Sequence, residues 1–96
     1  MVIPVQSMLP AGLAEALRKA PLCEEKVSLA WRMAVGISVD HASQVSLQEG
    51  ALLVRVDRRE WQREIRRSSA LIRARLDAFL GQGIVRTIKV TVRDRR

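Results

Sequence analysis

Apolar residues recur at helical spacing in the first part of the chain. After Pro10, which suits the first turn of a helix, Leu13, Leu17 and Ala20 fall on one face of the run LAEALRKA. Pro21 disfavours helical geometry at the residue before it, so we expect this first helix to end there.

A second helix is predicted from about Leu22 to Val35 or Ser38. Its apolar face is broad, which indicates a central position in the fold. The members of this face are Leu22, Val27, Leu29, Ala30, Met33 and Ala34. Trp31 pairs with Val35 on another side of the helix, and Gly36 is placed to cap its C-terminal end.

From residue 43 the period of the pattern changes to two, which is typical of strands. SQVSLQ (43–48) and ALLVRVD (51–57) alternate apolar and polar residues. Glu49 and Gly50 between them form a turn signal, so we expect a tight antiparallel hairpin. IVRTIKVTVR (84–93) predicts a third strand. Its inward residues should be Ile84, Ile88, Val90 and Val92, and its outward residues Thr87, Lys89, Thr91 and Arg93.

Between the second and third strands the spacing is again that of a helix, from about Arg58 to Leu80. Asp57 is a suitable N-cap with Glu60 as its capping-box partner, and Gly81 should end the helix. The core face occupies an arc of roughly 100° on a helical wheel. Its members are Trp61, Ile65, Ser69, Ile72, Leu76, Phe79 and Leu80.

The predicted order of elements is helix, helix, strand, strand, helix, strand (ααββαβ). This order predicts an α+β domain with helices packed on one face of a three-stranded sheet. A chain of 96 residues is the size of one domain, so residues 1–96 are interpreted as a single domain with its core at about 10–93. Aromatic residues are only 3% of the chain, which predicts an aliphatic core around Trp31, Trp61 and Phe79.

The polar side of the third helix carries a stripe of arginines within roughly 120°. The stripe consists of Arg59, Arg63, Arg66, Arg67 and Arg73. Like charges four residues apart each cost a few tenths of a kcal/mol, although Glu60 and Glu64 can pair with Arg63 and Arg67. Each buried large side chain contributes about 1.5–3 kcal/mol, so the fold tolerates the stripe without requiring it.

The net charge of +7, with 14 arginines and 3 lysines, favours partners that carry phosphates or carboxylates. The planar guanidinium binds two phosphate oxygens at once. Nucleic-acid contact is therefore the preferred interpretation of the stripe; an acidic protein surface and a merely solvated face are the alternatives. Arg55, Lys89 and Arg93 form a second basic face on the outside of the sheet. No Phe or Tyr accompanies them, so binding should be mainly electrostatic with weak sequence preference.

Other candidate chemistry is sparse. His41 is the only histidine, and its neighbour Asp40 does not by itself make a catalytic dyad, so a structural or solvent-facing role is expected. Cys23 is the only cysteine, cannot form an internal disulfide, and is interpreted as a small buried residue. There is no glycine-rich phosphate loop and no GxxG clamp. We therefore expect neither enzymatic activity nor a metal or cofactor.

Nothing in the sequence indicates a membrane segment or a secretory signal. MVIPVQSMLP has no basic n-region. The longest uncharged apolar stretch, MAVGISV, is far shorter than the roughly 18 residues of a membrane span. A cytoplasmic protein without a membrane partner is expected.

Several short motifs also occur in a recognisable order. They are WRMAVG (31–36), of the form W-x-x-x-V-G, then ISVDHA (37–42), GALLVRV (50–56), EWQREI (60–65), LDAFLG (76–81) and IVRTIKV (84–90). Together they resemble the DciA family of bacterial replication proteins over about residues 10–93. Longer members carry an extended C-terminal tail, whereas this sequence ends at Arg96.

The resemblance implies a K-homology-like domain that binds DNA and works with the replicative helicase, assisting its loading. We therefore expect a nucleoid-associated accessory factor that binds single- or double-stranded DNA with low sequence specificity. Two alternatives stay open: an RNA-binding K-homology-like module in RNA or ribosome metabolism, against which the missing GxxG counts, and a protein-interaction domain.

Overall fold

A computed structural model describes residues 11–93 of the chain. Its elements are α1 (Ala11–Lys19), α2 (Glu24–Val35), α3 (Ile37–His41), β1 (Ser43–Gln48), β2 (Ala51–Val56), α4 (Arg59–Arg67), α5 (Ser69–Leu80) and β3 (Thr87–Val92). The predicted role of Pro10 and the predicted position of the Leu13 side chain lie outside what the structure describes.

The three strands form one mixed sheet in the order β1-β2-β3. β1 runs antiparallel to β2, with Val45 opposite Val54, and β3 runs parallel to β2, with Val90 opposite Val54. The predicted hairpin is confirmed: Glu49 and Gly50 have φ values of 51° and 84°, the positive values that a two-residue type I′ turn requires.

The core lies between the inner face of this sheet and the helices. Its fully buried large side chains are Trp31, Leu52, Val54, Val56, Ile65 and Leu76. On β2 these residues alternate with less buried ones, as a strand with one covered face requires. α2 and α3 contact β1, α4 contacts β2 and β3, and α5 packs against α1 and α2. The predicted α+β class is confirmed.

The covered face of α2 differs from the predicted one. Val27, Ala30, Trp31 and Ala34 are buried, at the spacing i, i+3, i+4, i+7. Trp31 therefore lies on the core face, and its indole Nε1 donates to Ser43 Oγ at 2.9 Å. The predictions for Leu22 and Leu29, which are 52% and 45% exposed, were wrong. Leu22 precedes the helix, and Leu29 lies about 200° around it from Val27.

The ends of the first two helices rest on specific contacts. Lys26 is 5% exposed, and its Nζ donates to the carbonyls of Arg18 at 2.9 Å and Ala20 at 2.6 Å. This ammonium satisfies acceptors at the C-terminal end of α1, where a cation is also favoured by the helix dipole. Gly36 caps α2 as predicted, with φ of 92° and its N–H donating to the Arg32 carbonyl.

The predicted helix from Arg58 to Leu80 is two helices. α4 ends at Arg67, Ser68 has φ of −98° and ψ of 11°, and α5 begins at Ser69. The two halves pack on different neighbours, because α4 lies against the sheet and α5 against α1 and α2. The prediction of a single helix with one continuous apolar face was therefore wrong.

The predicted N-cap was also wrong. Arg58, with extended φ and ψ of −142° and 151°, occupies the N-cap position, and no side chain caps the helix there. The N–H of Asp57 donates instead to the Ala42 carbonyl at 3.3 Å, which keeps Asp57 in line with the sheet. The helix therefore begins one residue later than a cap at Asp57 would place it.

β3 begins at Thr87, three residues after the predicted start of the strand at Ile84. Ile88 is half-buried and Val90 is 7% exposed, as expected for inward residues. Val92 is 37% exposed, so its predicted burial was wrong. It stands at the end of an edge strand, where only one neighbouring strand flanks it.

Candidate nucleic-acid interface

α4 is fixed to the sheet by few residues. Ile65 is its one buried residue, while Trp61 and Gln62 are half-buried. The Gln62 amide donates from Nε2 to the Val90 carbonyl at 3.0 Å, on the outer edge of β3. These contacts orient the helix so that the rest of its circumference faces solvent.

Four arginines occupy that solvent-facing surface. We call Arg59, Arg63, Arg66 and Arg67 the arginine face, and all four are exposed. Within residues 11–93, the ion pair at this face is Arg67 Nη1 to Glu64 Oε1 at 3.9 Å, with side chains 77% and 53% exposed. The expected Glu60–Arg63 pair is absent from the same range. An exposed pair contributes about 0–1 kcal/mol, so the face keeps most of its positive character.

Arg73, the fifth member of the predicted stripe, is not on α4. It is on α5, beyond the break at Ser68, and its Nη1 donates to the Arg86 carbonyl at 3.0 Å. It borders an open groove of about 550 Å³ between α5 and the start of β3. The groove is lined by Ser69, Ala70, Arg73, Ala74, Asp77, Thr87 and Ile88. Because Ser69 follows the last turn of α4 by two residues, the groove begins next to the arginine face.

Arg86 was not singled out from the sequence. It is exposed, and its Nη2 donates to the Glu49 carbonyl at 3.0 Å. Its guanidinium lies so close to Gly50 that a Cβ there would collide with it. The backbone N–H of Arg86 donates to the Gly50 carbonyl at 2.7 Å. Arg86 thus ties β3 to the hairpin turn and adds a cation close to Arg73.

The second predicted basic group lies on the outer face of the sheet. Arg55 and Lys89 are exposed and border a shallow depression of about 390 Å³. Arg93 is exposed at the end of β3, in a small pocket of about 80 Å³ shared with Arg55 and Asp57. Since α4 packs on the inner side, this basic group and the arginine face are separate surfaces.

The two residues considered for other chemistry are both exposed. Cys23, predicted to be buried, is an exposed free thiol, because it precedes α2 in an extended conformation at the N-cap position. His41 is exposed at the end of α3. Within residues 11–93, no group of three or more His, Cys, Asp or Glu is arranged to hold a metal ion. In the same range no helix is long and apolar enough to cross a bilayer.

Comparison with known protein families identifies the family of the chain. The model of the family described as "Dna[CI] antecedent, DciA" matches residues 4–90. The chain belongs to the DciA family. The resemblance inferred from the motifs is thereby confirmed.

Similar relatives are found in mycobacteria. The UPF0232 protein of Mycolicibacterium smegmatis is 33% identical over 72 residues, which are 74% of this chain and 37% of the relative. The UPF0232 protein ML0004 of Mycobacterium leprae is 33% identical over 73 residues, covering 75% of this chain and 39% of the relative. The chain thus spans a little over a third of the length of these relatives.

The motif residues of this DciA-family chain have structural roles. Trp31 is 1% exposed and hydrogen-bonded to Ser43, whose hydroxyl donates to the Val39 carbonyl at 2.6 Å. Gly36 adopts a positive φ between α2 and α3. Trp61 packs half-buried against the core. The W-x-x-x-V-G motif therefore joins α2, α3 and β1.

Proposed function

We propose that this chain is a DNA-binding accessory factor of the bacterial replicative helicase that assists helicase loading and has no enzymatic activity of its own. The family supports the replicative role. The observation that carries DNA binding is the arginine face: four exposed guanidinium groups on one short helix, of which only Arg67 makes an ion pair within residues 11–93, with Glu64 at 3.9 Å.

Phosphate is the partner that fits this face best. Arg59 and Arg63, and Arg63 and Arg67, stand four residues apart, so each pair is repulsive in the free protein. A polyanion removes that repulsion, and guanidinium groups bind phosphate oxygens in pairs. Because the contacts reach the backbone of the nucleic acid, they position the strand without reading its sequence.

A charge-reversal experiment tests the proposal. Arg63→Glu with Arg67→Glu should remove most binding to a fluorescent oligonucleotide, measured by anisotropy in single-stranded and duplex form. The matched control is Arg55→Glu with Lys89→Glu, which makes the same charge change on the outer face of the sheet. Circular dichroism melting should show both variants folded, since all four side chains are exposed. DNA binding lost only in the sheet variant would refute the assignment to α4.

The helicase half of the proposal needs its own test. The purified chain should bind the hexameric helicase of its own organism and raise the amount retained on single-stranded DNA. The α4 reversal variant should retain helicase less effectively on DNA, because it has lost its own hold on the strand. If the wild-type chain neither binds the helicase nor raises its retention, the proposed role in loading is refuted.

An affinity purification from cells distinguishes the alternatives. Helicase that stays bound after nuclease treatment supports the replicative role. Ribosomal proteins recovered in its place, or RNA recovered before nuclease treatment, would support the RNA-binding module. An acidic protein partner that survives nuclease and competes with oligonucleotide would support the protein-interaction domain.

A further inference from the structure

The two edge strands of the sheet, β1 and β3, differ in how their outward backbone groups are satisfied. β3 is bordered by α4, whose Gln62 satisfies the outward carbonyl of Val90. β1 is the opposite edge. Its inward side chains Val45 and Leu47 are only half-buried, whereas Leu52 and Val54 on the neighbouring strand are 0% and 1% exposed.

The ladder geometry shows which backbone groups of β1 face outward. The Asp57 N–H donates to the Ala42 carbonyl, so Ala42 and Asp57 form a hydrogen-bonded pair at the end of the ladder. Such pairs alternate with non-bonded ones in antiparallel strands. Gln44, Ser46 and Gln48 therefore bond to β2, and the N–H and C=O groups of Ser43, Val45 and Leu47 point away from it. Within residues 11–93, no backbone hydrogen bond from another element reaches those three.

β1 also lacks the features that usually protect an edge strand. Natural edges are blunted by charged side chains, proline or bulges. SQVSLQ contains no charged residue and no proline, and it pairs with β2 without a bulge. Beside it runs a groove of about 340 Å³ between β1 and the start of α2, with Leu22 at its rim 52% exposed. A six-residue uncharged edge with a groove at its side is suited to another strand.

We propose that the strand it takes is β1 of a second copy of this chain, paired antiparallel about a two-fold axis at Val45. Charge selects this surface in a chain of net charge +7, since copies that met through the arginine face or the basic sheet face would repel each other. Residues 42–48 carry no charge.

Register follows from the two-fold axis. With Val45 opposite Val45 of the second copy, Ser43 faces Leu47 of that copy. All outward groups of the three residues are then used in three hydrogen-bonded pairs. Gln44 faces Ser46 of the second copy on the outer side of the sheet.

The assembly would be a six-stranded sheet with both helical layers on the same side. The two β3 strands would lie about 24 Å apart across five strand spacings. α4 would stand at each outer edge, so the two arginine faces could engage two segments of one polyanion. The proposal does not rest on DNA binding, because the edge would pair whether or not the arginine face contacts DNA.

Site-directed crosslinking tests the register. In a Cys23→Ser background, Gln44→Cys and Ser46→Cys place thiols on exposed side-chain positions of β1. Residues opposed in a non-bonded pair have Cα atoms about 4.5 Å apart, within disulfide range. Mild oxidation of the two variants mixed should therefore give a disulfide-linked dimer, and either variant alone should give far less. Equal crosslinking in all three samples, or none in the mixture, would overturn the register.

Sedimentation equilibrium tests the association itself. The wild-type chain, of 10.8 kDa, should approach twice its mass with rising concentration. Val45→Pro removes an outward N–H that no neighbouring strand uses, so it should leave the variant folded and monomeric. Ile88→Pro makes the matching change on the edge of β3 and should remain dimeric, with melting curves showing that both fold. A wild-type chain that stays monomeric, or a dimer that Val45→Pro leaves intact, would refute the proposal.

Discussion

α4 and α5 follow one another along the chain but make opposite use of the same residue types. α4 has nine residues and buries one, Ile65, whereas α5 has twelve and buries four. Both carry arginines. On α5, Arg73 and Arg75 donate to the backbone carbonyls of Arg86 and Ala34. The arginine face of α4 makes no such bond to a carbonyl within residues 11–93. The two helices therefore differ in whether the fold already uses their guanidinium groups in hydrogen bonds to the backbone.

The largest expected effect tests the structural half of this contrast. Leu76→Ala on α5 removes a side chain that is 0% exposed and should cost about 2–5 kcal/mol of unfolding free energy. Leu71→Ala on the same helix is the control, because Leu71 is 53% exposed and should cost far less. Urea denaturation of both variants measures the difference. Equal losses would show that α5 is not divided into a core face and a solvent face.

Trp61→Ala measures how firmly α4 is anchored. A fully buried tryptophan would cost about 3–5 kcal/mol, and the half-buried Trp61 should cost roughly half of that. Trp31→Ala, at 1% exposed, should reach the full range and also leave Ser43 without its indole donor. If Trp61→Ala unfolds the chain as readily as Trp31→Ala, α4 belongs to the core as much as α2 does.

Salt dependence sharpens the functional half. With four phosphates neutralised, log K against log salt should have a slope of roughly −2.8 on single strands and −3.6 on duplex. Arg63→Glu with Arg67→Glu should lower the single-strand slope by about 1.4, which at 0.1 M salt corresponds to roughly 25-fold weaker binding. If the variant had the same salt slope as the wild-type chain, basic residues other than Arg63 and Arg67 would be contacting the phosphates.

Arg73→Gln asks whether α5 contributes to binding. Its guanidinium already donates to the Arg86 carbonyl, so the change should weaken DNA binding less than Arg63→Gln does. The two single variants share the same charge loss and are compared by anisotropy at one salt concentration. A larger loss for Arg73→Gln would extend the interface into the groove between α5 and β3.

The smallest effect concerns Glu64. Its ion pair with Arg67 spans 3.9 Å at an exposed position, so Glu64→Gln should change the unfolding free energy by less than about 0.5 kcal/mol. The same change adds a net positive charge to the arginine face and should strengthen DNA binding slightly. Weaker DNA binding would mean that Glu64 orients Arg67 for its ligand.

Much of the fold could be read from local pattern. Alternation with a period of two located the strands, because one face of the sheet is covered and the other is open. Glu49 and Gly50 determined a turn with positive φ, since such a hairpin tolerates few other residues. The motifs around Trp31 and Gly36 were sufficient to indicate the family.

The tertiary structure decided which neighbours each helix packs on and which of its side chains are exposed. Ser68 separates two helices that pack on different neighbours, α4 on β2 and β3 and α5 on α1 and α2, whereas a helical wheel assumes one axis. That break places Arg73 on a different helix from the other four arginines of the predicted stripe. The exposure of Cys23 could not be predicted from the sequence, because it depends on where the preceding helix ends. The burial of Lys26 could not be predicted either, because it depends on which carbonyls that helix leaves unpaired.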